Sequence, residues 1–313
     1  MFSFLLQKLL QSLSLILGVT FISFVLMVYF GPDQTYNLLG KNASPEQIQE
    51  VRQQLGYDRP FLARYGDYLG ELLTLDLGAS NSSGESVSEI LKKTIPVSLA
   101  LLIPGFVLGN ILGILFGLIA AWHHNQWIDR LITSVSVTGM SLSFLIIIIA
   151  LQILLCTPYG LNLFPARGWQ VDSLSSYFYF VAVPSLSLIL ITLGYNTRFF
   201  RAVFIEESGR EHIRAAKAFG ASPLTLMGRH VLKNSLAPMI TRVLFSIPLI
   251  IISGSLLIET YFGIPGIGRI TFDAITNGDQ PVLKAIVGLT AVMFVLVQLL
   301  ADVLYRLADP RVS

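Results

Sequence analysis

Residues 94–128 read TIPVSLALLIPGFVLGNILGILFGLIAAWHHNQWI, which is 35 residues without aspartate, glutamate, lysine or arginine. A membrane-spanning helix needs about 20 apolar residues, because the hydrocarbon core is ~30 Å thick and a helix rises ~1.5 Å per residue. The stretch is longer than one span but shorter than two. It therefore predicts one spanning helix with an attached loop.

Five further blocks have the same character, so the sequence predicts six spans in all. Residues 131–166 again predict one helix plus a loop. Residues 9–32 are too long for a removed signal peptide and lack its cleavage site, so they predict a first helix that stays. The five blocks cover residues 9–32, 131–166, 173–197, 243–258 and 285–301.

Composition supports a membrane protein. Of the 313 residues 53% are hydrophobic and only 13% are charged, about half the ~25% of a soluble domain. So few charges cannot cover a soluble surface, which excludes most soluble enzymes and disordered proteins. The net charge of +2 gives no reason to expect nucleic-acid binding, and the single Cys156 excludes an intrachain disulfide or a cysteine metal cluster.

Charge placement predicts the orientation. One set of inter-span segments, which includes both termini and residues 198–242, carries twelve basic and six acidic residues, against nine and thirteen in the other set. Lysine and arginine favour the cytoplasmic side. Both termini and the 198–242 loop are therefore predicted to be cytoplasmic.

The outer segment, residues 31–93, has two helix signals. Ser44 and Pro45 fit an N-cap and first position, for a helix that runs to Leu55 and stops at Gly56. Apolar residues at spacings of three and four predict an amphipathic helix over residues 60–75. We expect an outer helical subdomain that lies on the membrane surface.

The inner loop predicts a helical hairpin. Residues 201–219 read as a helix that Gly220 ends, and Ser222 and Pro223 start the next one. Small residues at the turn would let it enter a groove on another protein. The alternative is an ordinary cytoplasmic hairpin whose charges only set topology. A DNA-reading hairpin is disfavoured, since both ends are tethered to the bilayer.

The chain has no phosphate-binding loop and no metal-ligand spacing. The predicted span interiors lack carboxylates and histidines, so energy for transport would come from a partner. Their neutral polar groups are either helix-packing hydrogen bonders or pathway residues. Arg242 either extends to the inner headgroups or lines a pathway and meets an anionic group of a substrate. The candidate pathway residues are Asn196, Arg242 and Ser246.

Residues 206–238 read EESGREHIRAAKAFGASPLTLMGRHVLKNSLAP. They resemble the cytoplasmic coupling loop of binding-protein-dependent ABC importer permeases, above all the dipeptide/oligopeptide/nickel group. There the loop tends to read RTARAKGLS and then HxLxNxLxP. The matching residues are Arg214, Ala216, Lys217, Ala218, Gly220, Ser222, His230, Leu232, Asn234, Leu236 and Pro238.

The resemblance continues along the chain in the family's order. It includes LGYDRP at 55–60, DLGAS at 76–80, ETYF at 259–262, PGIGR at 265–269, DQPV at 279–282, Asp302, Tyr305 and DPR at 309–311. Four residues depart from the family. Leu75 replaces a usual Gly, Ile264 a frequent Trp, Phe219 a common Lys and Arg242 an apolar residue.

The resemblance implies an all-α bacterial inner-membrane protein with six transmembrane helices. It divides into residues 1–30 (N-terminus and first helix), 31–93 (periplasmic subdomain) and 94–313 (five-helix core with a coupling loop at 201–235). No cofactor is expected in this chain, because ATP and magnesium belong to partner subunits. The implied partners are a homologous sister permease forming a heterodimer, two ATP-binding subunits, a periplasmic substrate-binding protein and the lipid bilayer.

Two residue sets follow from the resemblance. The ATPase-coupling loop is Glu211, Arg214, Ala215, Ala216, Lys217, Phe219, Gly220, Ala221 and Ser222. The residues expected to face the binding protein are Tyr261, Phe262, Pro265, Gly266 and Asp279.

The implied function is import of di- or oligopeptides, without catalysis in this chain. Alternatives are another solute (a nickel complex, an oligosaccharide or an antimicrobial peptide), an exporter-type relative, or a membrane scaffold without transport. A secondary transporter is disfavoured by the lack of charges inside the predicted spans.

Overall fold

The structure is a computed structural model and describes residues 2–31, 35, 39, 44–54 and 56–308, with the side chains of residues 2–12, 30 and 54 left out. The predicted Leu55 and the DPR motif at 309–311 lie outside the described residues. Within them the regular elements are helices, and the only strand-like pairing is an isolated bridge between Ala79 and Ser86.

Thirteen α-helices and two π-helical stretches (π1 and π2) are assigned in the described residues. In chain order they are α1 Phe2–Phe30, α2 Pro45–Gln54, α3 Phe61–Thr74, α4 Val87–Trp122, α5 Trp127–Ser141, α6 Phe144–Cys156, α7 Leu174–Ser208, α8 Glu211–Ala218, α9 Pro223–Thr225, π1 Leu226–Leu232, α10 Leu236–Leu249, π2 Ile250–Gly254, α11 Ser255–Phe262, α12 Ile267–Asn277 and α13 Gln280–Ala308.

Four helical stretches in the described residues are long and apolar enough to cross a membrane: α4, α7, the α10–π2–α11 run and α13. The pair α5 and α6 makes a fifth if its two parts are one span. The described apolar part of α1, Leu13–Tyr29, is shorter than a full span. The count of six therefore stays a prediction.

The prediction of one helix plus a loop in residues 131–166 was wrong in detail. Two helices, α5 and α6, meet there at an angle of 97°. Leu142 and Ser143 adopt extended backbone angles between them, and two extended residues interrupt the ladder of helical hydrogen bonds.

The chain divides into two compact units. The first comprises Met1–Pro96 and Gly266–Leu296, and the second Val97–Pro265 and Val297–Ser313. The functional segments predicted from the sequence follow other boundaries and stay a prediction.

In the first unit an aromatic cluster joins α1 to α3. Phe24 is buried and stacks on Tyr68, with ring centroids 5.4 Å apart, and Phe61 and Tyr65 pack around it. The Tyr68 hydroxyl donates to the Lys284 carbonyl oxygen of α13 at 3.0 Å. Burial raises the pKa of the Tyr68 phenol, because the charged form would lose its hydration. The amphipathic outer helix is therefore tied to both α1 and α13.

Asp279 organises the turn before α4. It is buried, and its carboxylate accepts hydrogen bonds from the Ser80 hydroxyl at 2.6 Å and from the backbone N–H groups of Asn81 and Ser82 at 3.2 and 3.1 Å. Burial alone would raise the pKa of Asp279, but these hydrogen bonds together hold it below its usual value.

In the second unit α4 and α7 approach closely along four glycines spaced four residues apart: Gly105, Gly109, Gly113 and Gly117. A Cβ atom on Gly113 would lie 2.6 Å from the Asn196 Cβ, and one on Gly117 would lie 2.9 Å from the Phe200 Cβ. Such distances exclude any side chain there. Small residues at this spacing are a recurrent device for close helix packing in membranes.

An ion pair joins α5 to α7. The Arg201 Nη2 atom donates to the Asp129 Oδ2 atom at 2.7 Å, and Nε donates to Oδ1. Asp129 is buried and also accepts from the Asn125 backbone N–H at 2.9 Å. A buried carboxylate is stable only with such partners, so this bidentate pair holds the two helices in register.

The expectation of carboxylate-free span interiors stays a prediction, and Glu259 lies in the last turn of a candidate span. The fifth predicted span stopped at residue 258, but the helical run continues through π2 and α11 to Phe262 and ends at Gly263 in left-handed conformation. Glu259 is fully buried there and accepts a hydrogen bond from the Ser98 hydroxyl at 2.6 Å. This partner on α4 makes the buried carboxylate tolerable.

Candidate functional site

The inner loop contains two helices where the sequence predicted one over residues 201–219. Helix α7 continues to Ser208, Gly209 closes it by donating to the carbonyl oxygens of Ile205 and Glu206, and α8 begins at Glu211. The single-helix prediction missed this break, where Arg210 takes extended backbone angles. Helix α8 is therefore a separate helix of eight residues.

The predicted turn after α8 is present. Gly220 has φ +83°, a conformation that residues with a Cβ rarely adopt, and the Ala221 N–H donates to the Ala216 carbonyl oxygen at 3.1 Å. The Ser222 side chain then accepts from the Thr225 N–H at 3.3 Å and caps α9. We call helix α8, this turn and α9, residues 211–225, the coupling hairpin after the role that the sequence resemblance predicts for it.

One side of the coupling hairpin is anchored and the other is open. Ile213 is buried in a cluster with Phe200, Phe204 and Val231. Phe219 is 91% exposed. Seven of the predicted coupling residues are exposed, namely Glu211, Arg214, Ala215, Lys217, Phe219, Gly220 and Ser222, whereas Ala216 and Ala221 are half-buried. An exposed aromatic ring at the tip of a short helix is a surface that a protein partner can cover.

A charged cluster at the base of the hairpin was not predicted from the sequence. The Glu207 side chain at the end of α7 is 5% exposed, and its carboxylate lies 2.9 Å from the Arg210 Nε atom and 3.2 Å from the His212 Nε2 atom. The Asn234 amide lies 2.9 Å from the same imidazole nitrogen. We call these four residues the hairpin clamp. The i,i+3 spacing of Glu207 and Arg210 was the one visible signal.

The predicted pathway residues are brought together in part. The Arg242 Nε atom donates to the Asn196 Oδ1 atom at 3.3 Å, and the Asn196 amide donates to the Asn110 Oδ1 atom at 3.0 Å. The Ser246 hydroxyl donates to the Val243 carbonyl oxygen of its own helix at 2.7 Å. Arg242 and Asn196 therefore form one polar site with Asn110, and the Ser246 hydroxyl is occupied by its own helix.

The residues predicted to face a binding protein have different surroundings. Pro265 is exposed and Tyr261 is half-buried, but Phe262, Gly266 and Asp279 are buried within the chain. The carbonyl oxygen of Phe262 accepts from the Gly168 N–H at 2.8 Å, and Asp279 holds the turn at Ser80.

In the part of the chain that the structure describes, histidine, cysteine, aspartate and glutamate side chains do not gather in groups of three or more that would hold a metal ion.

Comparison with known proteins identifies the class. Residues 113–313 match the family described as "Binding-protein-dependent transport system inner membrane component", and residues 1–102 match its N-terminal companion. The chain belongs to this family and is therefore an inner-membrane permease component of an ABC transport system, with several apolar helices. The sequence resemblance is confirmed.

Curated relatives cover the full length. The chain is 31% identical over 317 residues to a peptide transport system permease protein of Brucella abortus (strain 2308), with 100% and 99% of the two chains aligned. It is 33% identical over 302 residues to the dipeptide transport system permease protein DppB of Lactococcus lactis subsp. cremoris (96% and 95%). It is 29% identical over 312 residues to the glutathione transport system permease protein GsiC of Escherichia coli O6:H1 (100% and 99%).

A solved structure shares the fold. It is described as inward-facing conformations of the MetNI methionine ABC transporter, and its chain aligns with 70% of this chain and 96% of its own length, at a TM-score of 0.55 and 18% identity. At that identity the likeness concerns the fold alone.

Proposed function

We propose that this chain is the permease subunit of an ATP-driven importer, and that with a homologous sister permease it forms the pathway for di- or oligopeptides. Full-length similarity to permeases named for peptide and dipeptide transport supports the solute class. In this proposal the sister permease supplies the other part of the pathway. Both termini are cytoplasmic in this proposal.

The coupling hairpin is the observation that carries the proposal. It presents the exposed Phe219 and small residues on one side, while Ile213 and the clamp at Glu207 tie its other side to the spanning helices. We infer that Phe219 and its neighbours dock on an ATP-binding subunit. ATP and magnesium bind to that subunit, and its motion reaches α7 and α10 through the anchored side. ATP thereby favours one of two helix packings.

A periplasmic binding protein delivers the solute in this proposal. Of the residues that the sequence predicted to meet it, Pro265 and Tyr261 retain accessible surface. Phe262, Gly266 and Asp279 support the outer face from within rather than touching a partner.

ATP hydrolysis by the complete complex in lipid tests the proposal. The complex contains this chain, its sister permease and its ATP-binding subunits, and the cognate binding protein is added with and without a peptide library. We expect loaded binding protein to stimulate hydrolysis and peptide uptake. Hydrolysis without any response would refute peptide import and favour an exporter or another solute. Failure to capture an ATPase partner would favour a scaffold.

A further inference from the structure

Arg242 is a cation on the apolar α10–π2–α11 run, and it points to the neighbouring α7. The chain places it two turns after the start of α10, half-buried, with its guanidinium carbon 5.6 Å from the centre of the Phe199 ring. The Nε atom donates to Asn196. The hydrogen bond and the cation–π contact together restrict the orientation of the guanidinium.

The two asparagines determine which atom faces Arg242. Asn110 and Asn196 are 6% and 3% exposed. The Asn110 amide nitrogen donates to the Phe106 carbonyl oxygen at 2.9 Å, so its oxygen faces Asn196, and the Asn196 nitrogen donates to that oxygen. The Asn196 oxygen is therefore the atom left for Arg242. Three helices, α4, α7 and α10, supply this relay.

The relay uses only one of the guanidinium nitrogens. Among the described residues no carboxylate lies within 4.0 Å of Arg242, and its Nη1 and Nη2 atoms make no hydrogen bond to any of them. A charge on an apolar helix is unfavourable unless an anion or water meets it. The remaining N–H groups form the planar fork that binds a carboxylate through two parallel hydrogen bonds.

The surface beside the fork is open and apolar. Phe245 and Leu249 follow Arg242 on successive turns of α10 and are 41% and 59% exposed, and Phe199 on α7 is also exposed. A solute that offers a carboxylate next to apolar or neutral groups matches this combination. The negatively charged end common to unmodified peptides has that chemistry.

We propose that Arg242, oriented by Asn196 and Asn110, is a binding subsite for the substrate's C-terminal carboxylate along the translocation pathway. This inference rests on the proposed peptide transport and names the group that the pathway recognises. A carboxylate subsite differs from the alternative role, in which Arg242 only reaches lipid headgroups, because a headgroup-binding arginine would not discriminate between substrates.

The test compares trialanine with trialanine amide, which lacks the C-terminal charge. Uptake by the complete complex in proteoliposomes is measured for the wild type and for Arg242→Gln. For each peptide the uptake by the variant is divided by the uptake by the wild type. Selection by the binding protein affects both equally and therefore cancels in this ratio. We expect the ratio to be lower for the acid than for the amide by about tenfold or more, the loss typical of a charge-assisted hydrogen bond.

Two more variants separate recognition from structure. Asn196→Asp keeps the arginine but supplies an internal carboxylate, and we expect it to abolish the acid preference as Arg242→Gln does. Arg198→Gln removes an exposed cation of α7 and should leave the preference unchanged. Equal ratios for acid and amide in Arg242→Gln, or an equal loss in Arg198→Gln, would overturn the subsite.

Equilibrium binding of the same peptides to the nucleotide-free complex in nanodiscs, without binding protein, distinguishes the two proposals. If the wild type imports neither peptide, peptide import is refuted. A binding preference for the acid that Arg242→Gln removes would still support the carboxylate subsite. No preference in the wild type would overturn it.

Discussion

Replacing Glu207 by glutamine should loosen the base of the coupling hairpin without unfolding the chain. The Glu207 side chain is 5% exposed, and its carboxylate lies 2.9 Å from Arg210 and 3.2 Å from His212. Glutamine has the same shape and keeps a carbonyl acceptor, but it loses the charge that both partners face.

The size of the effect follows from the exposure of the partners. The two ion-pair contacts of Glu207 would contribute most if they were sheltered, but its Oε1 atom has no hydrogen-bond partner and the Arg210 and His212 side chains are 58% and 44% exposed. Solvent screening reduces such contributions to ~1 kcal/mol or less each. We therefore expect α8 to lose about 1–2 kcal/mol of docking free energy, which raises its open population about 5- to 30-fold.

Hydrogen–deuterium exchange of α8 in the purified complex measures this population. Glu206→Gln is the matched control, because Glu206 is 78% exposed and lies 3.9 Å from the same Arg210. Exchange of α8 should accelerate in Glu207→Gln only. Unchanged exchange in Glu207→Gln, or equal acceleration in Glu206→Gln, would refute the clamp.

Three further predictions concern backbone conformation and pH. Leu75 ends α3 at φ +57°, where a side chain is strained, so Leu75→Gly should stabilise the protein by ~1 kcal/mol; Leu73→Gly inside α3 should destabilise it by a similar amount, and thermal unfolding in detergent compares the two. The pKa of Asp279 is lower in the folded state than in the unfolded state, so its stabilising contribution is complete above pH ~4 and disappears as the pH falls through the folded pKa. Proteolysis of the turn that Asp279 holds should therefore increase only at acidic pH, and Asp279→Asn should be susceptible already at neutral pH; equal susceptibility of both proteins at pH 7 would contradict this. Gly220→Val should uncouple ATP hydrolysis from transport, because valine disfavours φ +83° by ~1–2 kcal/mol although no atom lies within 4 Å of its Cβ position; Gly228→Val, with equal space and no positive φ, is the control, and wild-type uptake by Gly220→Val would refute the assigned role.

Contiguous signals transferred well from sequence to structure. The capping residues at Ser44 and Ser222 stand at the starts of α2 and α9, where their side chains accept from the N–H groups of Gln47 and Thr225. Gly220 ends α8 as predicted. These features depend on a few neighbouring residues, so the chain itself contains the information.

Element ends inside apolar stretches were less predictable. Residues 131–166 gave no sign of the sharp bend between α5 and α6, and the helix after Ile258 ran on to include Glu259. An apolar run predicts that a segment lies in the membrane. Where its helix bends or continues depends on neighbouring helices, which supply partners for its backbone hydrogen-bonding groups and its charged side chains.

The sequence by itself determined that this is a multi-pass membrane protein, which family it belongs to and where the turn at Gly220 lies, because hydropathy and contiguous motifs are local properties of the chain. Only the tertiary structure decided which polar groups meet. Asn110, Asn196 and Arg242 are separated by 86 and 46 residues, and Ser80 and Asp279 by 199. Asn110 meets Asn196 because glycines let α4 and α7 pack closely, and such three-dimensional proximity has no counterpart in sequence spacing.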